Sequence, residues 1–130
     1  VSDLLLGSRR TWRLWIVCAL AAVSIAVAGP AQTASAAPTI HSIISRYTTA
    51  AGFGSLDVAA MKKIADYESH DHAGSHSRSC WGLFQLSTAM VTGHPWSDPA
   101  WNTKRALRYV KARYDTPRKT WSHIMKAGWY

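Results

Sequence analysis

The chain is poor in cysteine and poorer still in glutamate. It holds two cysteines, Cys18 and Cys80, and a single glutamate, Glu68, among 130 residues. Cys18 lies inside an N-terminal apolar run. Removal of that run leaves Cys80 alone and excludes the disulfide scaffold that many small secreted domains use. No apolar run reaches the ~18–20 residues of a membrane span. There is no internal repeat and no segment with the strict alternation of a half-buried strand. Negative charge is also scarce: seven Asp or Glu stand against fifteen Lys or Arg, a net charge of +8. That balance favours anionic partners. The cations are not interleaved with aromatics as in base-stacking surfaces, so no nucleic-acid partner is expected.

What is present begins with an address. Arg9, Arg10 and Arg13 precede an almost wholly apolar run from Leu14 to Ala28, and the small-residue triplet Ala34-Ser35-Ala36 follows. Charge, short apolar run and small-x-small site are the three parts of an export signal. Residues 1–36 therefore read as a signal peptide, with a retained anchor as the alternative. Ser8-Arg9-Arg10-Thr11-Trp12 loosely resembles a twin-arginine signal, and the export route stays open. The expected location is outside the cell, associated with the wall, with membrane contact only through the signal before cleavage.

Cleavage after Ala36 leaves 94 residues. These divide into a short linker at residues 37–42 and one small domain at residues 43–130, expected to be a monomer. A chain of this size buries only about 60–65% of its unfolded surface, so its core must be efficient. Five of the seven tryptophans lie in this part, and burial of large rings is an expected source of stability. Its twelve Lys or Arg and six Asp or Glu give a net charge of +6. Anionic wall polymers or lipid headgroups are partners that such a charge would suit.

The patterning is helical. Ile43, Ile44 and Tyr47 share one side of a first helix over Ile40 to Ala51, which Gly52 and Gly54 end. Ser55 or Asp57 can cap a second helix, whose stripe is Val58, Met61, Ile64 and Ala65, with Lys62 and Lys63 outside. Residues 70–80 are polar and rich in His, Ser and Gly, which predicts an irregular loop or a minor hairpin. A short helix is expected between Gly82 and Met90. Asp98-Pro99 is a helix start, and the helix runs to Tyr114 with Ala106 or Leu107, Val110 and Tyr114 inward and Lys104, Arg108 and Lys111 outward. Thr116-Pro117 ends it, and a last helix covers about Trp121 to Lys126. The fold class is all-α or mainly α.

Glu68 falls at the C-terminal end of the second helix, on the side of its apolar stripe. Apolar surroundings raise a carboxyl pKa, and the negative end of the helix dipole acts in the same direction. A carboxylic acid that stays protonated near neutrality suits glycosidic bond cleavage, where the leaving oxygen must be protonated. The plainer reading is a solvated Glu at a frayed helix end or a partner of Arg78.

Glu68-Ser69 is followed, after the polar loop, by Gly82-Leu83-Phe84-Gln85-Leu86. Tyr109-Val110-Lys111-Ala112-Arg113-Tyr114 comes next, then Trp121, His123 and Gly128-Trp129-Tyr130. In this order the motifs resemble the lysozyme-like lytic transglycosylases, in particular their short secreted bacterial branch, over roughly residues 40–130. The loop after Glu68 is slightly shorter than in that family and holds three histidines, and Asp115 stands where a glycine is usual. The resemblance implies a small lysozyme-like helical domain that cuts the β-1,4 bond between N-acetylmuramic acid and N-acetylglucosamine in peptidoglycan glycan strands, without water. Glu68 would protonate the bridging oxygen and then, as a base, take the proton of the sugar's 6-hydroxyl, leaving a 1,6-anhydro end. Ser69 and Gln85 would position Glu68 and the substrate, and Tyr109, Trp129 and Tyr130 would line the sugar cleft. No cofactor and no metal is implied.

Other readings compete. A hydrolytic muramidase would need a second carboxylate, for which Asp71 and Asp98 are candidates. A wall-binding module on the same fold would need no acid. His70, Asp71, His72 and His76, with His94 or His123, have residue types that suit zinc, but their spacing matches no standard site. Cys80 beside histidines is the raw material of a thiol nucleophile, whereas a lone Cys is more often a small packed residue. Trp81, Trp101, Trp121 and Tyr114 are assigned to packing, and His123 to a structural hydrogen bond.

Overall fold

The computed structural model describes residues 35–130, which form one compact unit. Residues 1–34, which hold Cys18 and all but the last two residues of the segment read as an export signal, lie outside the described residues. Helix α1 spans Ile40–Ala50 and α2 spans Ser55–Ser69. Two short strands follow, β1 (Cys80–Trp81) and β2 (Leu86–Ser87), then a single turn α3 (Thr88–Val91), α4 (Pro99–Tyr114) and α5 (Pro117–Ala127). The fold is mainly α. None of the described helices is long and apolar enough to cross a membrane.

Local chemistry explains most boundaries. The Thr39 hydroxyl accepts from Ser42 N and caps α1, whose first turn takes in residues 40–42, the end of the segment read as a linker. The N-cap of α2 is Gly54, without a side-chain bond, so neither Ser55 nor Asp57 plays that part. Asp57 is instead buried and accepts from the backbone N–H and Nε of Arg118, tying α2 to α5. Asp98 caps α4 as expected, accepting from Ala100 N and Trp101 N, with Pro99 at the first position. Thr116-Pro117 both ends α4 and starts α5. The Thr116 hydroxyl accepts from Lys119 N, so α5 begins at Pro117, a turn earlier than Trp121.

Helices α1, α2, α4 and α5 pack in a ring, with α1 against α2 and α4, and α5 against α2 and α4. Most of each stripe points inward: Ile44 from α1, Met61, Ile64 and Ala65 from α2, both Ala106 and Leu107 with Val110 from α4, and Ile124 from α5, whereas Ile43, Val58 and Tyr114 are half-buried and lie outside this core. Lys104, Arg108 and Lys111 are exposed, as the helical period requires. Leu83, Phe84 and Leu86 enter the same core from the hairpin and Val91 from α3. The centre is aliphatic apart from Phe84. Trp81, Trp96, Trp101 and Trp121 are half-buried and wrap it, so tryptophan supplies the shell of the core rather than its centre. Cys80 is a free, half-buried thiol.

The strands pair antiparallel, Cys80 with Ser87 and Trp81 with Leu86, with residues 82–85 as the turn. The hairpin therefore starts where the irregular 70–79 loop ends. A single bridge between His76 and Trp81 joins the two.

Candidate active site

Helix α2 stops at Ser69, one residue after Glu68, by an unusual route. His70 and Asp71 both take positive φ, 51° and 59°, in the left-handed region that glycine ordinarily fills. His70 N donates to Asp66 O at 2.8 Å, Asp71 N reaches back to Ala65 O at 3.4 Å and His72 N donates to Ser69 O at 3.1 Å, so these carbonyls are satisfied without glycine. His and Asp are among the side chains that tolerate this conformation. The Asp71 carboxylate is held 2.8 Å from His41 Nε2, at the start of α1. The end of α2 is thus pinned from outside.

It is also pinned from inside. The buried Ser69 hydroxyl donates its one proton to Leu83 O (2.8 Å), with Ala65 O (3.1 Å) in reach of the same proton, and accepts from His72 N (3.2 Å). Ser69 therefore joins α2, the loop and the hairpin turn, with its polar capacity spent on backbone. Gln85 behaves alike. At φ 45° it turns its amide onto Gly82 O (2.8 Å) and Ser75 O (3.2 Å), closing the turn over the loop. Both residues act on the frame around Glu68.

Glu68 itself is half-buried, and among the described residues no hydrogen bond or ion pair reaches its carboxylate. Burial pushes its pKa above the ordinary 4.5. Beside it stands Tyr130. The ring of this terminal residue is partly exposed, but its hydroxyl is buried and donates to Phe84 O in the hairpin turn. Burial first, then the nearby charge of Glu68 and the neighbouring Tyr109, Cys80 and Tyr114, hold that hydroxyl well above its usual range. Tyr130 is therefore a permanently neutral donor next to the acid. Tyr109 packs edge-on against Tyr130, with centroids 5.8 Å apart, and against Tyr114 at 6.2 Å. Burial raises the Tyr109 pKa as well. Two of the three aromatic candidates thus pack on each other, and Tyr130 lies near enough to Glu68 to feel its charge. Trp129 does not share those contacts. It is 52% exposed, edge-on to His123 at 4.7 Å, with the Arg113 guanidinium 5.7 Å over its ring.

The competing residues are engaged elsewhere. Asp98 is a helix cap and Asp71 is tied to His41. His76 stacks on Trp96 and meets Trp81 edge-on, His94 stacks on Trp101, and His123 leans on Tyr114 and Trp129. Among the described residues no three His, Cys, Asp or Glu side chains come together as a metal site. His123 Nε2 is buried without a partner, so the structural hydrogen bond expected of His123 is not made through that atom.

One supporting residue was not singled out from sequence. Asn102, the only asparagine in the chain, is fully buried on α4. Its amide donates to Trp96 O (3.0 Å) and Trp81 O (3.3 Å), and its Oδ1 accepts from Phe84 N (2.9 Å). It fastens the hairpin to α4. Gly82 makes this possible: a Cβ there would lie 2.2 Å from Asn102 Nδ2 and 2.6 Å from Trp96 O, and its φ is +79°. The available signal was Asn102 itself, a polar residue one turn before the inward Ala106.

A groove of about 810 Å³ lies apart from Glu68 between the end of α4 and α5, lined by Arg113, Tyr114, Arg118, Lys119, His123 and Lys126 among others. Glu68 lies where α2, the hairpin and the tail meet, and chemistry rather than volume singles it out. Comparison with protein-family models, curated proteins and solved structures returns no match.

Proposed function

We propose that this protein is a peptidoglycan-cleaving lytic transglycosylase with Glu68 as its general acid and base. The observation that carries the proposal is an unpaired, half-buried carboxyl of raised pKa with a neutral tyrosine hydroxyl and a second tyrosine beside it. The motif resemblance from Glu68-Ser69 to Tyr130 supplies the substrate class.

In this reading the protonated Glu68 gives its proton to the glycosidic oxygen as the bond to C1 of N-acetylmuramic acid breaks. The departing N-acetylglucosamine leaves as a neutral alcohol. The Glu68 carboxylate then accepts the proton of the 6-hydroxyl while that oxygen bonds to C1, which closes the 1,6-anhydro ring and restores the acid. One carboxyl serves both steps. The engagement of Asp71 by His41 and of Asp98 by α4 favours this route over one with a second carboxylate. Ser69 and Gln85 hold the frame, and Tyr109 and Tyr130 offer ring surface to sugar. The net charge of the chain suits retention at an anionic wall.

The test is digestion of purified peptidoglycan followed by mass spectrometry of the products. Wild type is expected to release anhydro-muropeptides, and Glu68→Gln to be slower by about 10²–10⁴-fold. Reducing ends in place of anhydro ends would replace the reading by a hydrolase. Equal, near-zero cleavage by both proteins with retained wall binding would replace it by a binding module.

A further inference from the structure

Helix α4 carries five cations, Lys104, Arg105, Arg108, Lys111 and Arg113, and no acidic residue. Among the described residues none of the five meets a carboxylate. The acids lie on α2 or at helix ends, and two of them neutralise Arg118 and Lys119 on α5. Helix-dipole stabilisation accounts for Lys111 and Arg113, which occupy the last turn. It does not account for Lys104, Arg105 and Arg108. These stand mid-helix at spacings of three and four, where like charges repel.

The arrangement is linear. Lys104, Arg108 and Lys111 follow the i, i+4, i+7 row of one helix face, so three charges lie along about 10 Å of axis. All three are exposed. The row is a ridge with a hollow on each side. One hollow, about 340 Å³, is lined by Tyr47, Phe53, Lys104, Arg108 and Lys111. The other, about 390 Å³, is lined by His94, Trp101, Lys104, Arg105 and Arg108. Lys104 and Arg108 border both.

We infer that this ridge binds a flexible chain of repeated phosphodiesters joined by polyols, an anionic polymer with no bases to stack. The inference rests on the proposed function only in setting that polymer beside a cell wall; the charge geometry stands without it. Neighbouring aromatics argue against a nucleic acid, because their faces are used internally. Lys104 Nζ sits 5.1 Å over the Tyr47 ring and Arg46 also approaches it, while His94 stacks on Trp101 at 5.1 Å. Tyr47 and Trp101 each already carry a partner on one face, so neither is a free two-sided platform for bases. A bilayer is disfavoured because the exposed large apolar side chains, Leu56, Tyr67, Met125 and Trp129, all lie off α4. On the helix circle the row is far from Tyr109, so a strand on it leaves Glu68 open.

The experiment measures binding of the whole protein to poly(glycerol phosphate) across a salt series. It compares wild type, the triple variant K104Q/R108Q/K111Q, and the charge-matched triple K62Q/K63Q/K126Q. The α4 variant is expected to bind at least tenfold more weakly, with the slope of log affinity against log salt reduced by about 2, as for the loss of three contacts to a single-stranded polyanion. The control should change by less than threefold. Equal losses in both triples would reduce the effect to net charge and overturn the site. Tighter binding of an oligonucleotide or of phosphatidylglycerol vesicles than of poly(glycerol phosphate) would overturn the ligand. The α4 variant should stay folded at the assay temperature, because relief of like-charge repulsion offsets the lost Lys104–Tyr47 contact and the lost Lys111 charge at the helix end, and should cleave short soluble glycan fragments unchanged. Failure of the Glu68 reading would show only in that cleavage arm and failure of the ridge only in the binding arm.

Discussion

Glu68 is held half out of water, with no cation paired to it among the described residues, and this has a consequence for stability as well as for chemistry. Its folded pKa is raised above the unfolded value. For a group shifted in that direction, the stabilising contribution is complete below the unfolded pKa and is lost as pH rises through the folded pKa. Glu68→Gln, which cannot ionise, should therefore melt at a higher temperature than wild type at pH 7, and the difference should vanish below the ordinary 4.5. Thermal unfolding of the two proteins at several pH values checks this; a variant less stable than wild type at pH 7 contradicts the unpaired, desolvated carboxyl. Cleavage should retain its rate above the usual carboxylate range and fall as pH passes the raised pKa, because the acid must start protonated.

At the scale of elements, the site depends on where a hairpin is fastened. The turn at residues 82–85 receives Ser69 from α2, Tyr130 from the tail and Asn102 from α4. Asn102→Ala would leave Trp96 O and Phe84 N without their partner and would remove the side-chain donor from Trp81 O, which keeps its place in the β1–β2 ladder. The expected cost is about 3 kcal/mol, since each unsatisfied buried group costs about 1–3 kcal/mol and the gap relaxes in part. The cap of the same helix is a milder case: Asp98→Ala removes the acceptor of Ala100 N and Trp101 N at an exposed end and should cost about 1 kcal/mol. Denaturant titration of both variants tests the ordering. A cap variant less stable than the Asn102 variant would show that the hairpin attachment is not the stronger constraint.

Over the whole molecule, the tail closes the structure. Tyr130 reaches across to Phe84 O, and Tyr67 Oη donates to Gly128 O at 3.4 Å, so α2, α5 and the hairpin are joined by the last three residues. Tyr130→Phe deletes one buried bond and leaves a carbonyl unpaired. It should lower stability by about 1–2 kcal/mol. A looser tail admits water to Glu68, so the high-pH limit of cleavage should also move down in this variant. A stability loss with an unmoved pH profile would assign Tyr130 to packing alone.

By itself the sequence determined the helical class, the inward stripes of α2 and α4, the Asp98-Pro99 start and the outward cations, because these follow from helix period and from capping by side chains within a few residues. It also marked Glu68 by its position on the apolar side of α2. Only the tertiary structure decided what surrounds that carboxyl. Ser69 and Gln85 turn to backbone carbonyls, Asp57 leaves its capping position for Arg118, Asn102 holds the hairpin, and Tyr130 arrives beside Glu68 from 62 positions away in the chain. A hydrogen bond between distant segments has no period and no fixed spacing, so its partners emerge only when packing has chosen which backbone groups are left to satisfy.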